Sequence, residues 1–112
     1  MKITEGNRLK IEGLRKKQDQ HAFFLGVARA SYLQRRKNLL DSEDVLALGV
    51  LEVSYHGNEK FLMDKIAATE QQQLTAGQKA LTDAGIDFTK GEHRIRDDGQ
   101  IQRLVAGNWE DF

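Results

Sequence analysis

The stretch DSEDVLALGVLEVSYHGNEKFLMDKIAATEQQQLTAGQKALTDA, from Asp41 to Ala84, decides the fold. It contains no proline, and Val45, Leu48, Leu51, Tyr55, Leu62, Ile66, Thr69, Ala76 and Ala80 recur in it at steps of mostly three, four and seven. Such steps return to one side of an α-helix, whereas a strand alternates every second residue. Asp41 or Ser42 is the expected cap of its first amides, with Glu43 and Asp44 where the helix dipole favours negative charge. Gly85 follows Ala84 as a terminating glycine should. A helix over 42–84 would measure about 65 Å at ~1.5 Å per residue, so it must lie against something. One interval is ambiguous. Ser54 to Asn58 reads S-Y-H-G-N, and a turn there would give helices of 42–53 and 59–84, but Tyr55 stays in phase with Leu48 and Leu62.

Upstream, a first helix is expected over about 7–38, with Asn7 as its cap. Ile11, Gln18, Leu25, Tyr32 and Leu39 fall seven apart, and Leu14, His21, Ala28 and Arg35 form a second series of the same period. Together they make a coiled-coil-like seam, with polar Gln18 and His21 to fix its register. Phe23, Phe24 and Val27 widen the apolar side, so the strongest contacts are expected between Ala22 and Leu33. Asn38 to Ser42 is the corner, short enough to make the two helices antiparallel neighbours.

After Gly85 the period changes. His93 to Arg96 and Gln100 to Val105 read as strands around Asp98-Gly99, a preferred dipeptide of tight hairpin turns. Ala106-Gly107-Asn108 makes a further turn, and Trp109 and Phe112 end the chain as an aromatic tail. The fold class expected is therefore mainly α: a long antiparallel helical hairpin over 1–84, and a short C-terminal β-hairpin with its tail over 85–112, in one domain. A lone two-stranded ribbon is marginal in water, so it should dock on the helices or on another subunit.

Composition narrows the function. Among 112 residues Lys plus Arg equal Asp plus Glu at 17 each, yet residues 1–40 carry ten basic residues against three acids, a local +7 balanced by −7 in the remainder. That asymmetry suits complementarity within the chain or between subunits. There is no cysteine, so disulfide and thiolate chemistry are excluded. No apolar run approaches the ~18 residues of a membrane span, and MKITEGNRLK lacks the apolar centre of a secretion signal, so synthesis in the cytoplasm and no membrane partner are expected. His21, His56 and His93 are too scattered for a metal site, and Asp97-Asp98-Gly99 lacks the repeated oxygen ligands of a calcium loop. Ser31, Ser42 and Ser54 lie in no nucleophile context, and no glycine cluster forms a phosphate loop. No catalytic residue, metal or cofactor is expected.

Two sets of residues remain as candidates. Arg15, Lys16, Lys17, Arg35, Arg36 and Lys37 form two basic runs suited to phosphate contacts, although three adjacent residues spread around a helix and do not line one side of it. Trp109 and Phe112, with Ile95 and Ile101 of the hairpin, are candidates for protein docking, where aromatic anchors contribute most.

The run from Leu62 to Leu104, with Q-Q-Q-L-T-A-G-Q-K-A-L followed by G-I-D-F-T-K-G-E-H-R-I-R-D-D-G-Q-I, resembles small helical-hairpin proteins encoded by tailed bacteriophages. The resemblance is one of pattern. It implies a virion or accessory component and transfers no site residues, and Arg94 and Arg96 depart from the more acidic strand such proteins would have. The function expected is that of a nonenzymatic structural or adaptor protein working through homo-oligomerisation and protein docking. The alternatives are a nucleic-acid-associated regulator or packaging accessory using the basic first helix, and a phage inhibitor that offers a host enzyme its acidic half.

Overall fold

A computed structural model describes all 112 residues. Two long helices, α1 (Glu5–Asp41) and α2 (Val45–Asp83), precede three strands, β1 (His93–Ile95), β2 (Ile101–Val105) and β3 (Asn108–Asp111). The mainly helical class and the antiparallel helical hairpin hold, and α2 is continuous through Ser54–Asn58. The chain divides into two compact units, Met1–Lys16 with Glu70–Phe112, and Lys17–Thr69.

The helix ends differ from expectation by a few residues, each for a local reason. Thr4, not Asn7, opens α1: its Oγ1 accepts from the Asn7 amide at 3.3 Å and its carbonyl from Arg8 at 2.9 Å. Asn7 lies inside the first turn, and its side-chain amide donates to Asp83 at 3.0 Å. At the other end α1 continues to Asp41, and the corner moves to Ser42–Asp44. Glu43 adopts the left-handed conformation (φ 55°), its amide donating to Leu40 at 3.2 Å and that of Asp44 to Leu39 at 3.1 Å. Asp44 then caps α2 by accepting from the Ala47 amide at 3.0 Å, while the Ser42 hydroxyl turns back to the Asn38 carbonyl.

The first unit holds a well-formed core. Ile3, Ile11, Ala76, Ala80, Leu81, Ile86 and Ile101 are buried together, with Leu14, Ala84 and Ile95 packed against them. The end of α2 feeds this core directly. Gly85 (φ 81°) stops the helix, the Gly85 amide donates to Thr82 at 3.0 Å and the Ile86 amide to Leu81 at 2.9 Å. Leu81 and Ile86 are thereby brought side by side, so the cap and the core support each other.

The C-terminal β-hairpin expected from the sequence is a three-stranded antiparallel sheet in the order β1-β2-β3. What read as an aromatic tail is β3, paired with β2 from Gln102↔Asp111 to Val105↔Asn108. Ala106 (φ 52°) and Gly107 (φ 82°) are both left-handed, which matches the twist of the two strands they join and lets the chain pair back at once. The first turn is also longer than the expected dipeptide. Gly99 donates to Arg96 and Arg96 to Gln100, each at 2.9 Å, so Asp97-Asp98-Gly99 forms a three-residue loop closed by a left-handed glycine. Met1–Ile3 adds to the sheet where β3 runs out: Ile101 donates to Met1 at 2.9 Å and Ile3 to Gly99 at 3.0 Å.

Ala106 occupies a backbone region that costs an ordinary L-residue about 1–2 kcal/mol and that asparagine adopts more readily. Ala106→Asn should therefore raise stability by up to about 1 kcal/mol. A shift of the denaturation midpoint to higher urea, followed by tryptophan fluorescence, checks it; an unchanged midpoint would contradict this account of the turn.

In the second unit the expected seam forms. Leu25 and Tyr55 are buried, and His21, Ala28, Tyr32, Leu48, Leu51, Leu62 and Ile66 are partly so. The contacts expected between Ala22 and Leu33 do not, because Phe23, Phe24, Val27 and Leu33 are exposed. At about 100° per residue the arc that points Leu25, Ala28 and Tyr32 inward carries these four away from it. Val45 and Arg35, assigned to the seam from their spacing, also face solvent.

Candidate interaction surfaces

The basic residues do not converge. Arg15 donates to Asp97 at 2.5 Å and to the Ile95 carbonyl at 3.2 Å, so it ties α1 to the β1–β2 loop. Lys16 pairs with Glu12 at 3.0 Å and Arg36 with Glu52 at 3.1 Å. Lys17, Arg35 and Lys37 are exposed, at differing angles around α1.

The four docking candidates on the sheet also separate. Ile101 is completely buried and belongs to the core, so no partner reaches it while the sheet stays closed. Trp109 and Ile95 share a shallow cleft of about 470 Å³, with Ile11, Leu81 and Phe88 in its walls. Phe112 is exposed elsewhere, its ring set edge-on to His93 at 6.0 Å and under the Arg103 guanidinium at 5.0 Å. Polar bonds brace the sheet: Arg94 lies over the Trp109 ring at 4.5 Å and donates to Gln102 at 2.7 Å, and Gln102 donates to Asp111 at 2.9 Å. Of the ionisable groups at the cleft, Arg15 and Arg94 are thus already engaged. No three of the His, Asp and Glu side chains come together as a metal site, and no helix is long and apolar enough to cross a membrane.

Between the helices of the second unit lies a polar layer that the sequence reading missed. The rings of Tyr32 and Tyr55 stack at 3.9 Å, 8° from parallel. Tyr32 donates its hydroxyl to Glu52 at 2.6 Å and Tyr55 to Glu59 at 2.6 Å. Each carboxylate also receives an arginine from α1, Arg36 on Glu52 at 3.1 Å and Arg29 on Glu59 at 3.2 Å. The tyrosine hydroxyls first, then the arginines, hold both carboxyls below their ordinary 4.5. The only sequence sign was a pair of spacings, Glu52 with His56 and Tyr55 with Glu59 four residues apart, which report contacts along α2 and not across to α1.

A depressed carboxyl binds its proton less readily in the folded chain than in the unfolded one. The stabilisation from Glu52 and Glu59 is therefore present above about pH 4.5 and is lost as pH falls through their lower folded values. A midpoint that is level near neutrality and drops below pH 4.5 is expected, with a shallower drop in the Glu52→Gln, Glu59→Gln double variant. Equal acid sensitivity in the two proteins would show that other carboxyls dominate.

The most unusual surface lies on the side of α2 turned away from this layer. Val45, Leu46, Val50, Val53 and Phe61 are 80, 83, 65, 78 and 61% exposed. Leu46, Val50, Val53 and Gly57 keep steps of four, three and four, and no charged residue interrupts that side before Lys60. Leu46, Val50 and Ser54 also border a groove of about 730 Å³, closed on its other side by Arg35, Asn38 and Leu39 of α1. The first half of α2 is thus apolar on two sides, only one of which α1 covers. The missed signal was a second stripe of the same period as the seam. Comparison with protein-family models, curated proteins and solved structures gave no match.

Proposed function

We propose that this chain is a nonenzymatic structural or adaptor protein that acts by self-association and protein docking. One observation carries the proposal: four large apolar side chains, Leu46, Val50, Val53 and Phe61, project from one side of α2, with Val45 exposed at its edge. Burying such a side chain completely contributes roughly 1.5–3 kcal/mol, so leaving the whole row in water is costly and covering it is favourable. The division of charge along the chain agrees with subunits that complement one another, and the phage-like pattern of the second half agrees with an assembly role. Light scattering on the purified protein should give a defined oligomer at micromolar concentration, and Leu46→Lys should lower its mass. A monomer at every concentration, unchanged by that substitution, would overturn the proposal.

A further inference from the structure

Resting on the docking part of that reading, we infer that the open edge of β1 binds an extended segment of a partner protein, which adds to the sheet as a further strand and sets a basic residue beside Glu92. In the order β1-β2-β3, β1 pairs on one side only. Leu104 donates to Glu92 and Arg96 to Gln100, so Glu92, Arg94 and Arg96 turn their backbone groups toward β2. His93 and Ile95, which alternate with them, point theirs outward. Arg15 takes the Ile95 carbonyl at 3.2 Å, while the His93 amide, the His93 carbonyl and the Ile95 amide have no backbone partner. Outward groups at every second residue are what an antiparallel strand pairs with.

The cleft beside Trp109 lies along this edge. Side chains alternate between the two faces of a strand, so a hollow over one face would touch every second residue. This one is lined by every residue from Gly91 to Ile95, which places it at the rim of the strand. Leu74 of α2, 55% exposed, and Phe88, 36% exposed, leave apolar surface in its walls. His93 carries a further unmet group, its Nδ1, which is buried without a hydrogen bond.

The cleft also defines what the incoming strand carries. The residue paired with His93 shares its face of the sheet, the helix side on which Ile95 packs against the core, so it is apolar. The residue after it lies opposite Glu92. Glu92 is exposed and takes part in none of the ion pairs, whereas the cations at the cleft are already held, Arg15 by Asp97 and Arg94 by Trp109 and Gln102. The unmet charge is therefore negative, and a lysine or arginine complements it. The occupant is thus an extended segment in which a basic residue follows an apolar one.

The probe is a synthetic heptapeptide, Ser-Thr-Thr-Val-Lys-Thr-Ser, whose valine pairs with His93. It should bind saturably to the full chain by calorimetry and shift the emission of Trp109 in the cleft wall. N-methylation of the valine amide, which donates to the His93 carbonyl, should weaken binding at least tenfold. The same change at the lysine amide, which points away from β1, should not. Glu92→Lys should weaken binding several-fold, and a peptide with glutamate in place of lysine should restore it. Leu46→Lys, which lowers the mass of the assembly proposed above, should leave the affinity unchanged, so the two surfaces fail separately. Neither heat nor an emission change up to millimolar peptide overturns the site, as does binding indifferent to both methylations. Affinity that falls as protein concentration rises would put a second copy on β1, and overturns it too.

Discussion

Ile101→Ala is expected to lower stability by roughly 2–5 kcal/mol, as large buried side chains cut to alanine generally do. The position is the most demanding in the first unit because Ile101 is the one large side chain with no exposure at all. Three parts of the chain meet at its backbone: the Ile101 amide donates to Met1, its carbonyl accepts from Phe112 at 3.0 Å, and it pairs with Ile95 of β1. Truncation leaves a cavity between the sheet and the Ala76, Ala80 and Leu81 side of α2. Denaturant unfolding followed by fluorescence at Trp109 measures the loss, and Ile101→Val, which removes a single methyl, should lose only about 0.5–1.5 kcal/mol. A loss under 1 kcal/mol for the alanine variant would mean that the sheet contributes little to this core.

Tyr55→Ala should have an effect of similar size in the second unit, about 3–5 kcal/mol by analogy with other buried aromatic truncations. Two terms add here. The ring loses its stack on Tyr32 and its burial in the seam, and Glu59 loses the hydroxyl that lies 2.6 Å from it. Tyr55→Phe separates them, because it keeps the ring and removes only the hydrogen bond. That variant should lose about 1.5–3 kcal/mol, the usual range for a bond to a charged acceptor. If it destabilises as much as alanine, the polar layer and not the stack holds the helices together. Both comparisons belong at one fixed protein concentration, since self-association shifts apparent stability.

Most of the architecture was legible because local signals agreed with one another. The seam residues repeat at helical period, Gly85 stops α2 where a glycine was needed, and Tyr55 keeps Ser54–Asn58 in phase. Three features were not legible. Glu43 takes a left-handed turn that glycine would normally fill, so the corner lies later than the sequence suggested. Ala106 does the same in the sheet, so the turn read at Ala106-Gly107-Asn108 gave no sign that the chain pairs back at once as β3. Periodicity also gives the spacing of a stripe but not the direction it faces. Seam residues such as Leu48 and outward residues such as Leu46 and Val50 share one repeat, and only the placement of α1 decides which are covered. For the same reason Ile101, a docking candidate from its place beside the turn, lies in the core.

The aromatic residues fall unevenly between the two units, and that supplies a built-in pair of optical probes. The single tryptophan, Trp109, belongs to the sheet beneath Arg94, whereas both tyrosines, Tyr32 and Tyr55, belong to the helical pair of the other unit. Indole emission therefore tracks melting around the strands, and near-ultraviolet dichroism of the stacked phenols tracks separation of the helices. Superimposable curves from the two signals would mark one all-or-none transition, and curves displaced from each other would show the halves coming apart in sequence, with no label added to the chain.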